Sequence, residues 1–246
     1  MFAITIIIVI LQFITSILLS FLVLGCIDKS SRYSNNYLLH YQFNKTSPLF
    51  QHLSTAAHST ISKNHTFQDI QVGVSYYGVC LQLAKGQLNC TNYNSLHSFP
   101  DYSLTILNKT KLDLVRLAQQ FSKVCHPKVL LATILLSLVA LLILCYVVIP
   151  CLPFRYEVKR WLMGLTGFNV IFWGIGAMLQ HQAVRASTVM MKQGSMELIS
   201  AKMGSRAESI TWVAFSFNIL IFFGVTFDWV REYKLRKAAG VVPGKV

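Results

Sequence analysis

The sequence is poor in charged residues, above all in acidic ones. Charged side chains make up 13% of its 246 residues, and 22 Lys and Arg stand against 9 Asp and Glu. A soluble domain carries about a quarter charged residues, so this composition excludes an ordinary soluble domain and is typical of a membrane protein. The sequence also lacks a Gly-rich phosphate loop, an H-E-x-x-H motif and a nucleophile elbow. It therefore predicts neither an enzyme nor a cofactor.

Charges are absent from four long apolar segments, each of which can cross a bilayer as a helix of roughly 20 residues. The predicted transmembrane helices are residues 1–27, 129–149, 161–180 and 210–227. Between and after them lie an outer loop, a cytoplasmic turn, a second outer loop and a basic tail, at 28–128, 150–160, 181–209 and 228–246. A signal peptide is the alternative for the first segment, but that segment lacks a basic start and is too long. The expected fold is an α-helical membrane protein with a four-helix transmembrane bundle.

The sidedness follows from basic residues and glycosylation sequons. The short turn and the tail are basic, and short basic segments stay on the cytoplasmic side. The N-x-S/T sequons all lie in the first outer loop, at Asn44, Asn64, Asn89 and Asn108. Such sites are glycosylated on the outer side, so the loop is predicted to be extracellular and both termini cytoplasmic. Asn89 is the weakest candidate, because a disulfide at Cys90 and a glycan would compete for one tight turn.

The first outer loop has the composition of a small folded subdomain with a β-sheet. Segments 37–43 and 70–83 are rich in aromatic and β-branched residues and predict strands, whereas apolar residues at helical spacing predict a helix at 110–124. Cys80 and Cys90 are most simply a disulfide that closes a hairpin, because the compartment is oxidising. Two separate thiols are the alternative, and a zinc site would need further Cys or His nearby.

Other polar and small residues are expected to have structural roles. Cys26 and Cys125, near the outer ends of the first two spans, are either a second pair or two separate buried thiols. Asn169 and Asn218 are expected to hydrogen-bond between helices. Four glycines of the third span are expected to allow close helix packing: Gly164, Gly167, Gly174 and Gly176.

The distribution of charged residues indicates which classes of binding partner to expect. The few Asp residues of the first outer loop show no calcium-binding spacing, and no metal site is predicted. The basic tail is expected to contact membrane lipid. No run of the sequence interleaves aromatic and basic residues as a nucleic-acid surface does, so nucleic acid is not an expected partner.

Four motifs together resemble one family. They are "YYGVC…C" at 76–90, "HPKVLLAT" at 126–133, "VIPCLPF" at 148–154 and "WGIGAM" at 173–178. Over nearly its whole length the chain is similar to the fungal mating-induced membrane proteins of low-affinity calcium uptake and membrane fusion, which are distant claudin-like tetraspan proteins. The family's cysteine motif is matched by Tyr76, Tyr77, Gly78, Cys80 and Cys90. Ser75 replaces the first glycine of that motif.

The resemblance implies a plasma-membrane protein, enriched at the mating projection or cell contact site, that acts in calcium influx and cell fusion during mating. We expect a regulator or accessory, because the spans lack acidic residues. One alternative is a calcium-permeable pore lined by carbonyls or loops. The other is a claudin-like adhesion or scaffold protein whose Tyr76–Tyr77 hairpin organises cell–cell contact. The expected partners are lipid and either calcium channel subunits or a second copy of the chain.

Overall fold

The structure is a computed structural model. It describes residues 2–27, 36–48, 50, 70–82, 88–93, 104–106, 110–125, 127–149 and 154–239. Two of the predicted glycosylation sites, Asn64 and Asn108, and the proline-containing segment 150–153 lie outside the described residues. The chain forms two compact units, one of residues 1–20, 128–177 and 211–246, the other of residues 21–127 and 178–210.

The described elements alternate between long helices and short strands. In chain order they are α1 (Phe2–Leu24), β1 (Leu39–Phe43), β2 (Gln71–Val74), β3 (Gly78–Gln82), β4 (Leu88–Asn92), β5 (Leu104–Ile106), β6 (Thr110–Leu112), α2 (Leu114–Val124), α3 (Lys128–Val148), α4 (Arg155–Gly194), β7 (Ile199–Met203) and α5 (Ser205–Ala238).

Among the described residues, four helices are long and apolar enough to cross a membrane, namely α1, α3, α4 and α5. This confirms the predicted tetraspan architecture. A helix suits the apolar environment because all its backbone groups bond within the segment. Large apolar side chains such as Leu142, Ile171 and Phe223 remain exposed on these helices, as contact with lipid requires. Helices α4 and α5 continue beyond the charge-free segments 161–180 and 210–227.

The first unit packs around an apolar centre to which all four long helices contribute. Its buried core cluster contains Ile8, Ala140, Leu144, Leu162, Ile221 and Val225. Glycines let large side chains approach α4: a Cβ at Gly167 would lie 3.0 Å from the Phe222 ring, and one at Gly174 would lie 3.0 Å from the Phe215 ring. Gly176 similarly faces Val129, whereas Gly164 has nothing within 4 Å, so the packing prediction is wrong for Gly164.

Two pairs of buried polar side chains in the first unit hydrogen-bond across helices. The Asn169 amide donates to the Asn218 Oδ1 at 3.2 Å, which confirms the predicted interhelical bond. The Gln12 amide of α1 donates to the Ser137 hydroxyl of α3 at 2.6 Å. Pairing of this kind satisfies polar groups that lipid cannot satisfy.

The second unit contains an antiparallel five-stranded sheet with the order β4-β3-β2-β1-β7. The burial of Leu39, Tyr41 and Phe43 alternates along β1 with less buried residues, so one face of this strand is apolar. Helix α2 packs against β2. The sheet confirms the predicted subdomain, but it also recruits β7 from the second outer loop, which the sequence analysis did not predict.

Two boundaries in the first outer loop differ from the sequence predictions. Segment 70–83 is divided into β2 and β3 by a turn at 75–77, which lets the two strands pair with each other. The predicted helix at 110–124 begins only at Leu114, because the Asp113 side chain caps it by accepting a hydrogen bond from the Val115 amide at 2.8 Å. Residues Thr110–Leu112 form β6 instead, paired with β5.

Candidate functional site

The cysteine motif forms the turn between β2 and β3 and the strand that follows. The Ser75 amide donates to the Gly78 carbonyl at 2.9 Å, which closes the turn. Gly78 lies directly against the segment that follows α1, and a Cβ there would collide with the carbonyl carbon and oxygen of Cys26. Only glycine permits so close an approach of two backbones. The glycine of the motif therefore fixes the turn onto the end of the first helix.

Ser75, the residue that departs from the family pattern, is accommodated by Gly25. Ser75 is buried, and a Cβ at Gly25 would lie 2.5 Å from its hydroxyl oxygen. Its carbonyl accepts a hydrogen bond from the Tyr93 hydroxyl at 2.6 Å. The described non-glycine residues with positive φ do not include Ser75, so the turn does not require glycine at this position.

Tyr76 points into the second unit. It is 5% exposed, its hydroxyl donates to the Gln180 Oε1 of α4 at 2.7 Å, and it shares a hydrogen bond with the Cys125 thiol. Burial raises the pKa of the Tyr76 hydroxyl well above its usual value, so the hydroxyl stays protonated. Tyr76 is an internal anchor and is removed from any adhesive surface, whereas Tyr77 is only half-buried.

The cysteines of the second unit divide into a bonded pair and two thiols. Cys80 and Cys90 form a disulfide at paired positions of β3 and β4, as the sequence predicts. Cys26 and Cys125 are separate buried thiols. The Cys26 thiol hydrogen-bonds to the backbone of Cys80, and burial raises its pKa to about 12. Burial likewise raises the pKa of Cys125 to about 11.

Burial of these two thiols disfavours the thiolate form. The thiolate is the reactive form of cysteine, and a pKa of about 11 for Cys125 leaves very little thiolate at neutral pH. In the part of the chain that the structure describes, no three His, Cys, Asp or Glu side chains come together as a metal site. The site is thus an anchor: the β2–β3 turn contacts the segment after α1, the end of α2 and the part of α4 in the second unit.

A buried charge cluster in the first unit was missed by sequence reasoning. The Lys159 ammonium of α4 lies 2.6 Å from the Asp228 carboxylate and 2.7 Å from the Glu232 carboxylate of α5. Arg236 pairs with the other oxygen of Glu232 at 3.2 Å and lies over the Tyr156 ring at 4.5 Å. The available signal was the spacing of four residues from Asp228 to Glu232 to Arg236. The excess of basic residues in this segment, which indicates a basic tail, masks that signal.

Two of the predicted glycosylation sites lie among the described residues. At Asn44 the Oδ1 accepts from the Thr46 hydroxyl at 2.7 Å and from the Thr46 amide at 3.2 Å, so the two polar side chains of the sequon contact each other just after β1. Asn89 lies within β4, paired with Leu81 and next to the disulfide. Both sites stay predictions.

Comparison with known proteins agrees with the resemblance in the sequence. The family described as "Ca2+ regulator and membrane fusion protein Fig1" matches residues 56–231. The Factor-induced gene 1 protein of Saccharomyces cerevisiae is 30% identical over 236 residues, which cover 84% of this chain and 77% of the relative. The family description names no enzymatic reaction. The chain belongs to the Fig1 family of Ca2+ regulators and membrane fusion proteins.

Proposed function

We propose that this protein regulates low-affinity calcium influx and membrane fusion in mating fungal cells, as an accessory and not as the pore itself. Family membership supports the roles in calcium regulation and fusion. The accessory role is supported by the packing of the first unit, whose centre is filled by the apolar cluster around Leu144 and Ile221. Conduction needs a polar or water-lined path, whereas the described residues of this cluster are apolar.

The charges and polar groups of the first unit support the same proposal. Lys159 is neutralised by two carboxylates, and Asn169 and Gln12 use their amides to bond neighbouring helices. Ionisable groups that serve ion transport face a cavity or pathway. Lys159, Asn169 and Gln12 instead bond to neighbouring helices.

Heterologous expression tests the accessory role. The protein is expressed alone in a cell type without this family, its surface amount is measured, and calcium current is recorded. We expect no current above that of untransfected cells. A robust current whose selectivity changes in Asp69→Asn or Asp101→Asn would overturn the accessory role and favour a loop-lined pore.

The proposed location is the plasma membrane at the mating projection or cell contact site, with both termini in the cytoplasm. The sequons of the first outer loop and the basic tail support this orientation. Proposed partners are membrane lipid and either calcium channel subunits or a second copy of the chain. Chemical crosslinking in mating cells, followed by mass spectrometry, distinguishes the two protein partners. Recovery of neither would contradict the partner proposal.

A claudin-like adhesion or scaffold protein is the second candidate, and one observation favours it. Strand β7 of the second outer loop pairs with β1 of the first, so both loops build one folded module. Because Tyr76 is buried, the informative variant is Tyr77→Ala. Normal surface amount and calcium influx with loss of cell fusion alone would favour the scaffold over the calcium regulator.

A further inference from the structure

One face of the five-stranded sheet carries three glutamines side by side. Gln42 of β1 pairs with Gln71 of β2, and Gln71 pairs with Gln82 of β3. Directly paired residues project from the same face of a sheet, so the three amides form a continuous row. The neighbouring row, one residue along each strand, includes Tyr41 and Leu81, which are buried on the opposite face. The amides are therefore not part of the apolar core.

The glutamine row lines a cavity of about 250 Å³. Tyr37, His40 and Lys202 complete its polar lining. The Tyr37 ring is tilted against the His40 ring, with the two centroids 5.2 Å apart. Drug-sized ligands occupy pockets of about 300–1,000 Å³, so this cavity suits a smaller group, about the size of one sugar ring.

The lining favours a ligand rich in hydroxyl groups. A glutamine amide has donors and an acceptor, and a hydroxyl is both a donor and an acceptor. Gln71 already uses part of this capacity in its hydrogen bond with His40. No carboxylate is found among the described residues of the lining, whereas a calcium ion needs several oxygen ligands with acidic help. Lys202 is exposed and is the one cation among those residues. A single solvated cation is a weak anchor for phosphate.

Two aromatic side chains supply apolar contact surface beside the polar groups of this pocket. Tyr37 and His40 lie beside the amides in the lining, and aromatic rings give apolar contact to the C–H face of a small polar ligand. Burial lowers the pKa of His40 below its usual value. The hydrogen bond with Gln71 raises this pKa, and nearby Lys202 lowers it by a smaller amount. Neutral imidazole offers one donor and one acceptor.

We propose that this glutamine pocket, formed by Gln42, Gln71, Gln82, Tyr37 and His40, binds a neutral hexose unit of a glycan. The proposal is independent of whether the protein conducts or regulates calcium. A glycan ligand gives the sheet a task at a cell surface that the anchored β2–β3 turn does not perform.

Saturation-transfer NMR on the full chain in lipid nanodiscs tests the proposal. The protein's own N-glycans are trimmed enzymatically, and the probes are mannotriose, cellotriose and methyl phosphate, a phosphate ester whose methyl protons can be observed. We expect saturation of ring protons in at least one trisaccharide. Gln42→Ala and Gln82→Ala should each weaken that binding by roughly 5–10-fold, as expected when one neutral hydrogen bond is lost.

Gln193→Ala is the matched control, because Gln193 is an exposed glutamine at the end of α4, outside the lining. It should leave binding unchanged. Gln82 is exposed, so its variant should fold even where Gln42→Ala does not, and a thermal melt verifies this. The proposal is overturned if neither trisaccharide is saturated, if Gln82→Ala binds as the wild type does, or if methyl phosphate alone is saturated.

Discussion

The charge cluster around Lys159 makes the sharpest energetic prediction. The Lys159 side chain is 5% exposed, and the Asp228 and Glu232 side chains are 10% and 18% exposed. In Lys159→Met both carboxylates lose this partner, and Glu232 keeps another cation, Arg236. Removing one member of a buried ion pair costs about 3–5 kcal/mol. For a chain of this size we expect the midpoint of thermal unfolding to fall by about 6–20 °C.

The assay is thermal unfolding of the purified protein in nanodiscs, followed by tryptophan fluorescence. Arg160→Met is the matched control, because it removes the adjacent positive charge from an exposed position, and it should change stability by less than about 0.5 kcal/mol. The triple variant Lys159→Met, Asp228→Asn, Glu232→Gln should recover most of the loss, since neutralising a whole buried cluster is often nearly neutral. Equal midpoints for Lys159→Met and Arg160→Met would refute the reasoning.

Three further predictions concern the second unit. Gly78→Ala places a methyl group against the Cys26 backbone and should cost about 1–3 kcal/mol of stability, whereas Gly194→Ala, which meets nothing within 4 Å, should not; equal surface amounts of the two variants would contradict the anchor. Because burial lowers the pKa of His40 from 6.5, the unfolded chain takes up the proton first as the pH falls. Stability contributed by neutral His40 should therefore decline below about pH 6.5, and His40→Gln should flatten this decline in thermal melts at pH 5–7. Asn44→Gln should remove one glycan on a gel, because its sequon lies in a turn after β1, while Asn89→Gln should leave the mobility unchanged, because Asn89 lies within paired β4; the opposite pattern would contradict this assignment.

The motif residues act mainly within the molecule. Gly78 permits contact with the segment after α1, Tyr76 bonds to Gln180, and the Cys80–Cys90 disulfide joins β3 to β4. These motif residues therefore position the sheet within the second unit. Tyr77, by contrast, is only half-buried.

Features with a local cause could be predicted from the sequence. The spans follow from uninterrupted apolar runs such as that of α3, and the disulfide follows from two cysteines in an oxidising loop. Strand β7 could not be predicted, because its five residues "ISAKM" have a weak pattern and pair with β1, which is distant in sequence. The pairing of Lys159 with Asp228 could not be predicted for the same reason, because Asp228 lies on another helix.

The sheet pocket shows a further limit of sequence patterns. Gln42, Gln71 and Gln82 are ordinary polar residues in their own segments, and each is expected on a solvated strand face. They become a row only through the registers of three strands. Register is a property of pairing and is set by long-range contacts, so the candidate site required the structure.

The central claim, that the protein regulates calcium influx without forming the pore, is tested most directly by calcium flux into liposomes that contain only the purified, disulfide-bonded protein. We expect flux equal to that of protein-free liposomes over the whole range of protein density. A flux that rises in proportion to the amount of protein, with the disulfide intact and the liposomes tight to a control solute, would contradict it.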